Sequence, residues 1–231
     1  MELKKESMQI LKEKSRAKSQ ITFDEDFNVP DAKPDAGRLI QNKGRIIMDD
    51  VRLTDGKGIL TGNLQVDILY VGEERGIVSS LTAKLPFEET LNLKNIINGD
   101  KMCLKWEIED LTIRLIHSRK LNIKALVTFC ATVDETEQIR LPVALDAEEV
   151  SVRKKTVRFL GLTVHKKDTL RIKDEYTIAS NRPDIASLIW YTMDVRGLDL
   201  KPEENVVKAR GELSVFVLYG AEDTEAPVQW L

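Results

Sequence analysis

Histidine and cysteine are scarce in this sequence, with two of each among 231 residues. Cys103 and Cys130 are too few for the disulfide framework that staples small secreted domains. His117 and His165 have no further His or Cys at ligand spacing, so both read as solvated side chains and no metal site is expected. Long apolar runs are missing too. None approaches the ~18 residues that a bilayer-spanning helix needs, which excludes insertion by that route. Met1-Glu2-Leu3-Lys4-Lys5-Glu6 has no apolar stretch after its lysines, against a signal peptide. Nor does one sign of charge dominate. Lys plus Arg number 35 and Asp plus Glu 38, for a net charge of -3 and a pI near 5.6. That balance argues against a nucleic-acid partner held by bulk charge. Hydrophobic residues at 42% and charged residues at 32% describe a globular chain, and the expectation is a soluble, cytoplasmic one.

At ~150 residues per domain the length suggests about one and a half domains. An internal repeat accounts for the fraction. Pro34-Asp35 recurs as Pro183-Asp184, a spacing of 149. The same spacing aligns Leu39-Ile40 with Leu188-Ile189, and Gly62, Leu64, Val66, Leu69 and Tyr70 with Gly211, Leu213, Val215, Leu218 and Tyr219. Ten of the 47 positions from 24 to 70 are identical without a gap. The identities fall on Gly, Pro and alternating apolar residues, which fix backbone and core. The spacing is too long for a solenoid repeat. The expected organisation is a complete unit over 1–149 and the N-terminal half of a second over 150–231. The second stops at the equivalent of Thr82 and lacks counterparts of 83–149.

Alternation of apolar and polar residues predicts strands at 45–53, 58–71, 104–115 and 121–129, with a β-bulge near Glu109-Asp110 and a hairpin break at His117-Ser118-Arg119-Lys120. Thr54 to Gly58 reads as a turn because Asp55-Gly56 favours positive φ. Glu6 to Gln20 has helical propensity. Its repeat partner, Lys155 to Val164, is β-branched, so residues 3–12 are expected to be extended. One short helix per unit is expected, at Pro34–Gln41 and Pro183–Trp190, with Pro at the first helical position and Asp in the first turn. Leu39-Ile40 and Leu188-Ile189 should face the cores. The fold class is all-β, with tandem β-sandwich or partly open barrel units, each with one short helix and the second incomplete.

Motifs for chemistry are missing. Gly56-Lys57-Gly58 lacks the spacing and following helix of a phosphate loop, and no Gly-x-Ser-x-Gly elbow occurs. The carboxylates at Asp24-Glu25-Asp26, Glu73-Glu74 and Glu88-Glu89 are adjacent, and adjacent strand residues point to opposite faces. The basic groups Arg153-Lys154-Lys155 and Lys166-Lys167 read as edge-strand charges. Cys103 and Cys130 fall near each other across the hairpin; two free thiols are expected in a reducing compartment. No catalytic, cofactor-binding or metal-ligating residue is expected, and the chain is read as non-enzymatic.

Asn28-Val29-Pro30-Asp31-Ala32-Lys33-Pro34-Asp35, Gly62 to Val71, Leu85-Pro86-Phe87 and Ser118 to Ala125 occur in order, and the second unit follows the pattern as far as Pro227-Val228-Gln229-Trp230-Leu231. This series resembles the SPOCS domain family, spore-coat-associated proteins of endospore-forming Firmicutes. The resemblance implies an assembly protein of the spore coat or envelope in the mother-cell cytoplasm, at the forespore surface or coat, with other coat or envelope proteins as partners. It supplies no catalytic residues. Related proteins often carry a C-terminal LysM module, which is not found within this sequence. A different reading is a ligand-binding module for cell-wall glycan, using a cleft between the units near Trp106, Trp190 or Trp230. The half unit 150–231 should leave Leu213, Val215, Val217, Leu218 and Trp230 uncovered. It would then pack on the first unit or self-associate with the same half of another chain.

Overall fold

The period-2 pattern that runs through the sequence produces strands throughout, and no helix forms among the described residues. The computed structural model describes residues 2–54, 56–74, 76–97, 100–146, 169–222 and 227–231, with Ser151, Arg153, Lys155, Thr156 and Arg158 between them. The strands are β1 (Glu2–Asn28), β2 (Ala36–Thr54), β3 (Lys57–Gly72), β4 (Val78–Asn92), β5 (Met102–His117), β6 (Lys120–Asp146), β7 (Ser187–Pro202), β8 (Val207–Gly220) and β9 (Val228–Trp230). They form three antiparallel three-stranded sheets, ordered β1-β6-β5, β2-β3-β4 and β7-β8-β9.

The first two sheets share one core. Leu60, Leu64, Val66, Ile68 and Tyr70 alternate along β3 and are fully buried, as are Leu121, Ile123, Val127 and Phe129 along β6. Phe87 on β4 joins the two layers, its ring centroid 5.2 Å from that of Phe129 and 6.2 Å from that of Phe23 on β1. At Gly44 on β2 the layers approach so closely that a Cβ would lie 2.9 Å from Leu111 Cδ2 of β5.

The N-terminus is extended despite its composition. β1 pairs with β6 from Glu2↔Asp146 to Asn28↔Lys120. Lysine and glutamate favour a helix only weakly, and a continuous partner strand outweighs that preference. A register shift between Glu13 and Ser15 leaves Lys14 unpaired in the ladder. Its ammonium turns aside to Asp100 at 2.8 Å, and both side chains are largely covered. The bulge expected near Glu109-Asp110 is present, as a shift between Ile108 and Asp110.

The two expected helices are not formed. Pro34 and Asp35 end a loop, and Ala36 already begins β2. Register shifts between Ala36 and Arg38 and between Leu39 and Gln41 show why the sequence misleads. A bulge sets two residues against one and so disturbs strict alternation, which makes Leu39-Ile40 look like part of a helical stripe. Leu39 packs at the margin of the core, whereas Ile40 is exposed. In the second copy Leu188 is exposed, Ile189 is half-buried, and the buried residue is Trp190.

The third sheet repeats the register of the second. Leu39↔Tyr70 becomes Leu188↔Tyr219, Ile46↔Leu64 becomes Val195↔Leu213, and Asp50↔Thr61 becomes Asp199↔Arg210, all at the spacing of 149. The bulge between Leu39 and Gln41 recurs between Leu188 and Trp190. β9 sits one residue out of step, because Leu69 pairs with Ser80 while Leu218 pairs with Trp230. Leu231 thus takes the place of Leu81, not Thr82. The junction near 149/150, the strand expected across 155–164, His165 and Lys166-Lys167 lie largely or wholly outside the described residues.

Candidate interaction surface

The loop between β1 and β2 is held by a clasp. Its turn closes through Lys33 N–H donating to the Pro30 carbonyl at 2.9 Å. The turn of the β5–β6 hairpin, Ser118-Arg119, lies against it. Arg119 donates from Nη1 to the Lys33 carbonyl at 2.9 Å and to Asp35 Oδ1 at 3.0 Å, and from Nη2 to Asp31 Oδ1 at 2.8 Å. Ser118 Oγ donates to Asp35 Oδ2 at 3.1 Å. Backbone bonds complete the junction, with Val29 N–H on the Arg119 carbonyl and Ala36 N–H on the Ser118 carbonyl. Partial burial disfavours the charged guanidinium, but the hydrogen bonds and charges of Asp35 and Asp31 outweigh it and raise the Arg119 pKa. Tyr70 donates to the Pro34 carbonyl at 2.9 Å from a buried ring, and burial raises its hydroxyl pKa. The planar fork of arginine suits such a bidentate junction where lysine would not.

Half of this clasp recurs in the second unit. Arg182 N–H donates to the Ala179 carbonyl at 2.9 Å, and Tyr219 donates to the Pro183 carbonyl at 3.2 Å. These are the same turn and the same tyrosine contact at the spacing of 149. Nothing among the described residues stands where Ser118-Arg119 stands. Asp184, the counterpart of Asp35, is exposed and pairs with no described residue. Arg182 is turned toward β9, donating to the Trp230 carbonyl with its guanidinium 5.8 Å from the indole centroid.

The inner face of the third sheet is bare. Leu64, Val66 and Ile46 are 0%, 0% and 9% exposed, whereas their equivalents Leu213, Val215 and Val195 are 51%, 50% and 64% exposed. Met193, Tyr191 and Leu200 extend the apolar area. The sequence expectation of an uncovered face at Leu213 and Val215 therefore agrees with the structure; Val217 and Leu218 are half-covered and Trp230 is exposed. β7 meets the first unit beside β4, where Trp190 is buried and its Nε1 has no hydrogen-bond partner among the described residues.

Between β7 and the outer face of the second sheet runs a groove of about 550 Å³. Its polar wall centres on Asp67, which accepts from Arg45 at 2.9 Å, Gln65 at 3.1 Å and Thr82 at 2.7 Å. Trp190 lines this groove but is too enclosed to offer a stacking face, Trp230 is exposed on β9, and Trp106 lies on β5 in a different sheet. The three tryptophans do not form one platform.

The remaining candidates fall on the surface. His117 ends β5, exposed, with its Nδ1 accepting from Arg119 N–H at 3.3 Å. Cys103 faces Thr132 and Cys130 faces Lys105, a diagonal relation, and both are free thiols. Among the described residues no three His, Cys, Asp or Glu side chains gather as metal ligands. The clasp itself was not legible in the sequence, although Asp31, Asp35 and Arg119 all lie in motifs that carry the family resemblance. Asp31 and Asp35 are far from Arg119 along the chain, and only the fold brings them together.

Fold and surface thus define a closed two-layered β unit followed by a single open sheet of matching register. Residues 35–116, from the clasp aspartate to the end of β5, match the family described as SipL, SPOCS domain. The match is consistent with the resemblance drawn from the sequence and suggests a sporulation-related role. No curated protein and no solved structure matches the chain.

Proposed function

We propose that this protein is a non-enzymatic assembly component of the endospore coat or envelope, acting through protein–protein contacts from the mother-cell side of the forespore. The observation that carries the reading is the match of 35–116 to the SipL, SPOCS domain family. In this reading residues 1–149 are the complete SPOCS unit and 150–231 the first half of a second. A fluorescent fusion followed through sporulation tests it. Signal should gather around the forespore, and deletion should leave the coat misassembled. An even signal that ignores the forespore, with normal spores in the deletion strain, contradicts it.

A further inference from the structure

We propose that Cys103 and Cys130 form a two-coordinate site for a soft monovalent cation, copper(I) or silver(I), on the outer face of the β1-β6-β5 sheet. The site lies wholly within the first unit and does not depend on the sporulation reading, so its failure leaves that reading standing. It departs from the expectation of no metal site, which rested on spacing along the chain. The two cysteines are 27 residues apart in sequence, and only the β5–β6 ladder brings them onto one face.

Register fixes the arrangement. Lys18 on β1, Cys130 on β6 and Lys105 on β5 form one row across the three strands, and Arg16, Thr132 and Cys103 form the next. Residues two apart on a strand share a face. Phe129 and Ala131 are fully buried on the inner face, so both thiols point outward. Both are free and neither is buried. A cavity of about 290 Å³ is lined by Cys130, Lys105, Arg16, Thr132, Glu13 and Asp134.

The spacing selects the ligand. Diagonal neighbours in an antiparallel pair have Cα atoms ~7–8 Å apart and Cβ atoms somewhat closer. A disulfide needs Cβ atoms ~3.5–4.5 Å apart, which here calls for a shift of the backbone. Two thiolates on opposite sides of one ion span ~4.6 Å, twice a metal–sulfur bond of ~2.3 Å, and the two Cβ–Sγ bonds cover the rest. Thiolate ligands favour copper(I) over harder ions. A tetrahedral zinc site is not served, because among the described residues no third His, Cys, Asp or Glu joins the pair. Binding exchanges two protons for one ion: each S–H bond breaks, two metal–sulfur bonds form, and the bis-thiolate complex carries one negative charge. Lys18 and Lys105 are placed to balance that charge. They flank Cys130 directly, and neither pairs with a carboxylate among the described residues. The carboxylates of this face stand farther from Cys130. Glu107 is in the next row, Glu109 beside it is held by Thr128 and Gln20, and Asp134 is two rows off in the other direction. Arg16 is already paired with Glu13.

Anaerobic titration of the reduced full chain with copper(I), in competition with a chromophoric copper(I) chelator, tests the site. One ion should bind per chain. The affinity should be at least ~100-fold above that of Cys103→Ser or Cys130→Ser, the low end of the gain when a second contact becomes intramolecular. Silver(I) should behave alike. Lys18→Met with Lys105→Met should weaken binding several-fold, as the loss of two exposed charge contacts would. Every substituted side chain lies on the outer face, and an unchanged urea midpoint verifies the fold of each variant. An affinity no higher than that of either serine variant overturns the proposal. A copper-dependent dimer in light scattering, with one ion per two chains, overturns it too, by assigning the two thiols of the complex to different copies. Binding that ignores the loss of both lysines overturns the charge assignment.

Discussion

Gly62 and Gly211 hold equivalent places in two sheets of the same register, yet a side chain meets different surroundings at each. A Cβ on Gly62 would sit 2.4 Å from the Ile47 carbonyl oxygen and 3.0 Å from the Phe87 ring, whereas on Gly211 the nearest atom is the Arg196 carbonyl oxygen at 3.3 Å. Gly62→Ala should cost ~1–3 kcal/mol, the usual penalty for overpacking, and Gly211→Ala distinctly less, as read from urea denaturation. The same contrast holds for leucine. Leu64→Ala removes a fully buried side chain and should cost ~2–5 kcal/mol. Leu213→Ala removes a half-exposed one and should stay near ~0.5 kcal/mol, the scale of surface changes. Equal losses at 64 and 213 would mean that the third sheet has a cover. At this scale the sequence was informative about which residues are apolar and alternating, because that is a local property. It was silent on Arg119, whose importance comes from partners 84 and 88 positions away.

Among the elements, β1 shows how long-range pairing decides local structure. Its composition favours a helix, and only its repeat partner argued otherwise. The two expected helices that do not form show the reverse: the Pro-Asp pair and disturbed alternation have a helical reading, and the bulges that explain them are visible only in the ladder. Acidic residues along β1 and the following loops also set the pH response. Asp24 is held below the usual carboxylate range by its hydrogen bonds to Lys124 and Asn122, Asp26 by Lys120 and Asn122, and Asp100 by Lys14 and the Ile97 N–H. A carboxyl with a lowered pKa in the fold binds its proton more readily when unfolded. Its contribution is therefore complete above the unfolded value of about 4 and is lost as pH falls through the lower folded value. The urea midpoint should be flat between pH 7 and about 5 with respect to these groups and decline below. Removing the charges with Lys14→Met and Lys124→Met together should make that decline shallower. An unchanged acid slope would show that these pairs contribute nothing to it.

For the molecule as a whole, a closed unit beside an open sheet accounts for both the burial pattern and the charge left at Asp184. The uncovered residues Leu213 and Val215 were legible in the sequence because a gap-free repeat carries its own reference: the strands of the third sheet have counterparts in the second at the spacing of 149. Two features were not legible: the one-residue offset at β9, which depends on the turn before it, and the burial of Trp190 beside β4, which depends on how β7 meets the first unit. Hydrogen exchange, read segment by segment on the intact chain in solution, tests the central claim most directly. Strands 60–70 and 209–219 have matching ladders, so differences in protection report their cover. The account predicts strong protection over 60–70 and much faster exchange over 209–219. Equal, high protection of both segments in a monomeric chain would contradict it.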